Sequence, residues 1–203
     1  TYSFFINIRS VLRIIYNTKA RSRFLWNIRK GDTKLTMNYP LDNNSIVVDV
    51  GSYKGEFIEK LNKRHQPIIH AIGPIEEFND YLSKKFQNYP NIIIHKFGIL
   101  DKTKKVTISK LGAGSSIYDR KEGASKELIS LVSMSEFMKN EKLDQIDLLY
   151  LNIEGSEYQL LNHMIENNLI ENVKHLQIQF HNYLENATLE RRKLRRVLKK
   201  NLE

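Results

Sequence analysis

The segment from Val47 to Gly55 joins an apolar strand pattern to residues that could hold a ligand. It reads Val-Val-Asp-Val-Gly-Ser-Tyr-Lys-Gly, and a helical pattern follows at once. Gly51 and Gly55 would let the backbone turn tightly and approach a ligand, while Asp49 could accept a hydrogen bond at the strand end. Strand–glycine–helix turns also form for packing reasons alone. The segment therefore predicts a ligand-binding turn, with a purely structural role as the alternative.

The strands and helices that would hold this turn in place are indicated by short apolar runs separated by helical patterns. The runs cover residues 46–50, 68–72, 92–97, 106–109, 128–132, 146–153 and 176–180. Several are nearly continuous Val, Ile and Leu, as in parallel strands covered on both faces. Helical patterns cover residues 56–64, 75–86, 135–141, 157–167 and 189–202. This alternation predicts an α/β fold with an open, doubly wound, mostly parallel sheet, in which ligands bind at the carboxyl ends of the strands.

Two smaller patterns accompany these elements. Ser133 and Glu136 have the spacing of a capping box, which predicts a helix start ahead of the third helical pattern, over residues 135–141. His70 and His95 lie inside strand patterns, and we interpret both as structural.

Composition narrows the class of protein. The chain has 203 residues, 41% of them hydrophobic and 27% charged, which is typical of one globular domain or slightly more. No apolar run approaches the roughly 18 residues of a spanning helix. Cysteine is absent, which excludes a disulfide scaffold, cysteine-ligated zinc and thiol catalysis. We expect a cytoplasm-like compartment.

The net charge of +9 is concentrated at the two ends of the chain. Residues 1–31 carry +7 and no acidic side chain, residues 189–203 carry +5, and residues 32–188 carry −3. Basic ends could contact nucleic acid, but solvated helical faces are the simpler interpretation, and no RNA-binding aromatic motif or zinc spacing is present. The N-terminal segment has helical apolar spacing, so it could lie on an anionic membrane or pack on the sheet.

Four ordered segments resemble the FkbM-like family of S-adenosylmethionine-dependent methyltransferases. They are Asp49-Val-Gly-Ser-Tyr-Lys-Gly-Glu56, Gly112-Ala-Gly-Ser-Ser-Ile117, Ile146-Asp-Leu-Leu-Tyr-Leu-Asn-Ile-Glu-Gly-Ser-Glu-Tyr158 and Leu176-Gln-Ile-Gln-Phe-His-Asn182. The similarity runs from about Thr36 to Arg196. It implies a Rossmann-like class I methyltransferase fold over residues 36–203, preceded by a basic amphipathic helical segment over residues 1–35.

The resemblance also implies where the cofactor, S-adenosyl-L-methionine, binds. The cradle for its methionine and ribose parts would be formed by Asp49, Gly51, Ser52, Tyr53 and Gly55. Phe97 and Gly98, after the third strand, would lie near the adenine.

The catalytic residues implied by the resemblance follow the fourth and fifth strands. Asn152 and Glu154 would face the methyl-transfer centre, with His181 across from them. We choose His181 as the general base, since its ordinary pKa suits neutral pH, and Glu154 could orient it or hold a second hydroxyl of the acceptor. A satisfied structural histidine is the alternative for His181, and helix capping is the alternative for Glu157.

One cofactor position departs from the family pattern. An acidic residue normally ends the second strand and binds both ribose hydroxyls, but Gly73 stands there, and Glu76 and Glu77 should lie on the next helix. Another group replaces the acid, or cofactor binding is weak, or the protein no longer methylates. Asn152 and Gln179 stand where many family members carry acids, which argues against a carboxylate-bound metal.

The leading hypothesis is an O-methyltransferase acting on a hydroxyl of a sugar in a glycan or glycosylated metabolite. The alternative is a catalytically weakened or inactive domain that serves as a binding or scaffold module. The chain ends in what reads as the helix after the fifth strand, before the antiparallel pair that usually closes such sheets, so we expect a fragment without those final strands.

Overall fold

The computed structural model describes residues 36–109, 125–181 and 185–201, together with Leu25 and Ile28. The chain divides into two units, Thr1–Pro40 and Leu41–Glu203. In the first unit, Leu25 and Ile28 are helical. The predicted basic segment over residues 1–35 otherwise lies outside the described residues, as does Gly112–Ile117, and the predicted domain boundary after residue 35 stays a prediction.

The second unit alternates strands and helices as the apolar periodicity predicts. In chain order the elements are β1 (Ile46–Val50), α1 (Glu56–His65), β2 (Ile68–Ile72), α2 (Glu76–Lys85), β3 (Ile92–His95), β4 (Gly98–Leu100), β5 (Lys104–Ser109), β6 (Lys126–Ser133), α3 (Met134–Asn140), β7 (Ile146–Leu151), α4 (Glu157–Glu166), a 3-10 helix (Leu169–Asn172), β8 (Val173–Ile178) and α5 (Ala187–Asn201).

Five of the strands form one parallel sheet in the order β3-β2-β1-β7-β8. Val47 of β1 is in register with Ile69 of β2 on one side and with Leu148 of β7 on the other. The chain thus winds outward from β1 to β3 in one direction and resumes beside β1 with β7. This reversal leaves a crevice at the carboxyl end of β1, where α/β sheets bind ligands. The predicted doubly wound parallel fold is confirmed.

A second sheet of three strands, in the order β4-β6-β5, differs from the expectation of a single sheet. The run over residues 92–97 was predicted as one strand, but β3 ends at His95 and β4 begins at Gly98 in the other sheet. Gly98 permits this packing, because a Cβ there would lie 2.6 Å from Leu131 Cδ2. Strand β4 is parallel to β6, and β5 is antiparallel to it.

Each sheet contributes apolar side chains to a buried cluster. Val48, Val50, Leu149 and Leu151 of the parallel sheet belong to a core cluster that also includes residues of α3, α4 and α5. A separate cluster of Ile75, Leu100, Ile108, Ile129 and Leu131 lies between the second sheet and the start of α2.

Helix α5 carries much of the C-terminal positive charge on its exposed side. Leu194 and Leu198 are buried in the core, while Arg192, Arg195 and Arg196 are exposed. This arrangement is that of a solvated amphipathic face. A search of the described helices finds none that combines the length and the apolar character needed to cross a bilayer.

Helix α3 begins where the capping-box spacing predicts. The Glu136 N–H donates to Ser133 Oγ at 3.2 Å. The Ser133 N–H donates to Thr103 Oγ1 at 3.0 Å, and the Thr103 hydroxyl in turn donates to the Glu136 carboxylate. Thr103, just before β5, thus completes the cap and ties the helix to the second sheet.

Candidate active site

An open cleft lies at the carboxyl ends of β1, β2 and β7, beside the second sheet. Its empty space, counted out to the solvent, is about 800 Å³. The turn after β1 contributes Gly51 and Tyr53, and the residues after β7 contribute Asn152 and Glu154. Gly73, after β2, also lines the cleft.

Gly51 and Gly55 serve different purposes in the turn after β1. Gly51 has φ of 97°, and a Cβ there would lie 2.1 Å from the carbonyl oxygen of Asn152, so the close approach of two strand ends requires glycine. Gly55, with φ of 70°, precedes α1, and a Cβ there would lie 2.6 Å from Phe86 Cε2. Gly51 borders the cleft, whereas Gly55 allows helix packing. The structural interpretation therefore applies to Gly55.

The side chains of this turn reach different surroundings. Tyr53 has φ of 45°, which a non-glycine residue seldom adopts, and its ring packs edge-on against Phe78 at the cleft wall. Ser52 is buried, and its Oγ donates to the Asp49 carbonyl oxygen at 2.9 Å. Tyr53 thus shapes the cleft, and Ser52 holds the backbone of the turn.

Asp49 is the most unusual titratable group near the cleft. Its side chain is buried, and neither carboxyl oxygen has a hydrogen-bond partner among the described residues. Burial raises the pKa of Asp49 to about 7. Because a buried carboxyl group without partners is costly, this arrangement is typical of a site that awaits a donor from a ligand.

Glu154, His181 and Glu157 form a hydrogen-bonded series at the ends of β7 and β8. His181 Nε2 lies 3.2 Å from Glu154 Oε1, and His181 Nδ1 lies 2.8 Å from Glu157 Oε1. Tyr158 also holds this histidine, since its hydroxyl donates to the His181 carbonyl oxygen at 2.9 Å. Of these residues, Glu154 lines the cleft, and the imidazole lies behind it.

Glu157 is fully buried and rigidly held. Its two carboxylate oxygens accept hydrogen bonds from the N–H groups of Ile153 and Gly155, both at 2.9 Å. Left-handed backbone at Glu154 and Gly155, with φ of 52° and 103°, turns those N–H groups inward. Sequence reasoning considered Glu157 as a helix cap and missed its contact with His181. The only signal was its position one helical turn beyond Glu154.

The remaining predicted site residues are placed as follows. Asn152 Oδ1 is buried without a partner in the described part of the chain, and its backbone N–H donates to Val50. Gly98 lines the cleft. Phe97 instead packs its ring against His95 and Phe137 in the core, outside the described cleft lining.

The two acidic residues that follow Gly73 in sequence do not replace an acid at this position. Glu76 and Glu77 begin α2 and are exposed, and neither is among the described residues that line the cleft. Asn79, which sequence reasoning did not select, is buried in the cleft wall and donates from Nδ2 to the Gly73 carbonyl oxygen at 2.9 Å.

Outside the cleft, His70 and His95 form a buried pair. His70 Nδ1 lies 2.9 Å from His95 Nε2, and the Glu141 carboxylate lies 3.9 Å from His70 Nδ1. Within the described ranges, these three residues are the one group whose spacing could hold a metal ion. Phe137 packs edge-on against both rings. The pair joins β2 to β3, in agreement with a structural interpretation.

The parallel sheet, its strand order and the cleft at the β1 end define a Rossmann-like protein of the methyltransferase type. The family model of the methyltransferase FkbM domain matches residues 49–198, and the chain belongs to this family. A comparison with curated proteins finds no match.

Proposed function

We propose that this protein is an S-adenosylmethionine-dependent O-methyltransferase whose acceptor is a sugar hydroxyl. One observation carries the proposal. Two sets of groups meet at the cleft. The first consists of buried acceptors without partners among the described residues, at Asn152, which lines the cleft, and at Asp49, two residues before the lining residue Gly51. The second is the series Glu154–His181–Glu157, of which Glu154 lines the cleft. The first set suits binding of a polar cofactor, and the second suits removal of a proton.

The residues at the β1 end fit the cofactor. Gly51 allows the backbone to approach a ligand, and the Asp49 carboxyl can accept hydrogen bonds from ammonium or hydroxyl groups once they enter. Bound S-adenosylmethionine supplies a methyl carbon on a positively charged sulfur, and an acceptor oxygen bonds to that carbon as the carbon–sulfur bond breaks. Asn152, with its unpartnered Oδ1, is available to orient either molecule.

The proton of the acceptor goes to the Glu154–His181 pair. Glu157 accepts two backbone hydrogen bonds, so it is the acceptor for His181 Nδ1–H as well. With its one proton on Nδ1, the neutral imidazole presents an unprotonated Nε2 to Glu154 Oε1 at 3.2 Å. A hydroxyl that reaches Glu154 meets a carboxylate backed by a base, and the released proton is held between Oε1 and Nε2.

The charge of the cleft favours a neutral acceptor. No lysine or arginine is present among its lining residues within the described ranges. A carboxylate or phosphate acceptor would therefore enter without a countercharge from these residues. A hydroxyl of an uncharged sugar needs none, and Glu154 and Asn152 could hold a neighbouring hydroxyl.

The test separates cofactor binding from transfer. Calorimetry with S-adenosylhomocysteine should show binding to the wild-type protein, and labelled S-adenosylmethionine should transfer its methyl group to a member of a sugar panel. His181→Ala should keep the affinity for S-adenosylhomocysteine but lose roughly 10²–10⁴-fold in transfer rate, because the general base is gone. His163→Ala, which alters a histidine of α4 bonded to Ser135, is the control and should leave both unchanged.

Each failure has a different meaning. A wild-type protein that binds neither form of the cofactor contradicts the proposal. Binding without transfer to any acceptor, unaltered by His181→Ala, favours the alternative of a binding or scaffold module. A large gain in cofactor affinity from Gly73→Glu would then indicate that the absence of an acidic side chain weakens the wild-type site.

A further inference from the structure

Asn79 places an unsatisfied acceptor in the wall of the cleft. Its side chain is only 1% exposed, and its Nδ2 donates to the Gly73 carbonyl oxygen at 2.9 Å. That bond fixes which way the amide faces, so Oδ1 is on the other side. Oδ1 is buried and has no hydrogen-bond partner in the part of the chain that the structure describes.

Glycine at position 73 leaves unfilled the position next to this oxygen that a side-chain carbon would occupy. A Cβ built on Gly73 would meet one atom within 4 Å, Asn79 Oδ1 at 3.7 Å. Gly73 has no left-handed φ and no close contact that requires glycine, in contrast to Gly51. A side chain at position 73 would thus lie in van der Waals contact with Oδ1, and glycine leaves that contact unmade.

We propose that Asn79 Oδ1 is the hydrogen-bond acceptor for the nucleoside part of the cofactor at the end of β2. This inference rests on the proposed function. The matching donor is a neutral O–H or N–H group of the nucleoside, on the ribose or on the adenine ring. Asn79 thereby takes the place of the acid that the family pattern puts at position 73, where Glu76 and Glu77 are exposed and outside the cleft lining within the described residues.

The choice of an amide has consequences for ligand selection. Asn79 Nδ2 is already engaged by the Gly73 carbonyl oxygen, so the group offers the ligand an acceptor only. A ligand without a donor at this point leaves Oδ1 unsatisfied in a buried place, which penalises binding. One lost neutral hydrogen bond corresponds to roughly tenfold in affinity.

Analogues of S-adenosylhomocysteine test this contact directly. Calorimetry compares the parent compound with its 2′-deoxy, 3′-deoxy and 6-desamino forms, on the wild-type protein and on Asn79→Leu. One analogue should bind the wild type roughly tenfold more weakly than the parent and bind Asn79→Leu as well as the parent does. The identity of that analogue tells a ribose donor from an adenine donor.

Two further variants complete the design. Asn62→Leu removes another buried asparagine, which bonds to Asn91 in a different place, and should leave all the analogue ratios as in the wild type. Gly73→Ala puts a methyl group beside Oδ1 and should weaken binding of the parent compound. The Gly73→Ala variant also tests the inference if Asn79→Leu does not fold, because an unchanged affinity of Gly73→Ala for the parent compound would contradict the inference.

The outcomes distinguish this inference from the proposed function. Failure of the wild type to bind S-adenosylhomocysteine overturns both. Binding of the parent with equal analogue losses in wild type and Asn79→Leu overturns only the role of Asn79.

Discussion

Gly51 and Gly73 end neighbouring strands of the parallel sheet but are subject to different constraints. Gly51 has φ of 97° and lies against the backbone of Asn152, whereas Gly73 has no left-handed φ and a Cβ there would make only an ordinary contact with Asn79 Oδ1. These two glycines of the cleft therefore provide a matched pair for mutation.

Gly51→Ala should destabilise the protein, and Gly73→Ala should not. An alanine at position 51 incurs about 1–2 kcal/mol for its left-handed conformation and a further cost for displacing the Asn152 carbonyl. Alanine at position 73 should leave the free energy of unfolding unchanged or raise it by about 0.4–1 kcal/mol. Urea denaturation measures both, and equal losses in the two variants would contradict the described turn.

At the residue scale, the sequence predicted those parts of the site that lie next to strand ends. Asp49, Gly51, Asn152 and Glu154 border or underlie the cleft because parallel strands bring their carboxyl ends together. Asn79 and the role of Glu157 were not predicted. Each depends on which way a helical side chain faces, which the order of residues alone does not specify.

Elements were predicted best where their apolar pattern is continuous. The bounds of β1 and β2 agree with the runs over residues 46–50 and 68–72. The second sheet was missed, since β4 has three residues and continues the apolar run of β3 after Lys96 and Phe97. Strand β4 joins the second sheet, where Gly98 packs against Leu131, a residue far along the chain. A local sequence pattern therefore does not indicate it.

Thr103 connects the second sheet to α3, and its removal should weaken both. Thr103→Val removes the acceptor for the Ser133 N–H and the donor to Glu136. A loss of about 1 kcal/mol in the free energy of unfolding is expected, the size of a typical N-cap contribution. Thr107→Val, at an exposed position of β5, is the control and should change stability by less than about 0.5 kcal/mol. Equal effects would show that Thr103 does not act through the cap.

For the molecule as a whole, two buried groups give opposite dependences of stability on pH. Burial raises the pKa of Asp49 from 3.8 to about 7. Burial, with the neighbouring His95, lowers the pKa of His70 from 6.5 to about 4, and burial also lowers the pKa of His95 against the effect of Glu141. The contribution of Asp49 is complete below pH 3.8 and is lost as the pH rises to about 7. That of His70 is complete above pH 6.5 and is lost as the pH falls to about 4.

Single substitutions should reveal the two opposing trends. Between pH 4 and 6.5 each group changes the free energy of unfolding by up to about 1.4 kcal/mol per pH unit, in opposite directions. In Asp49→Asn, the free energy of unfolding should rise with pH over this range, because the contribution of His70 remains. In His70→Asn, it should rise less steeply with pH than in the wild type, or fall. Urea titrations at a series of pH values measure this, with the double variant as control. An Asp49→Asn profile parallel to that of the wild type would contradict the burial of an unpartnered carboxyl group.

The position of β1 between β2 and β7 also sets when the site forms during synthesis. The backbone N–H of Ile46 in β1 donates to the carboxylate of Asp147 at 2.8 Å, and Asp147 follows Ile46 by 101 residues. A ribosome adds about 5–20 residues per second, so β1 emerges roughly 5–20 s before its second neighbour. Until then the backbone N–H and C=O groups on that edge of β1 have no strand to pair with, and Gly51 has no Asn152 backbone beside it. The cleft is thus completed only when the C-terminal half of the sheet has been made.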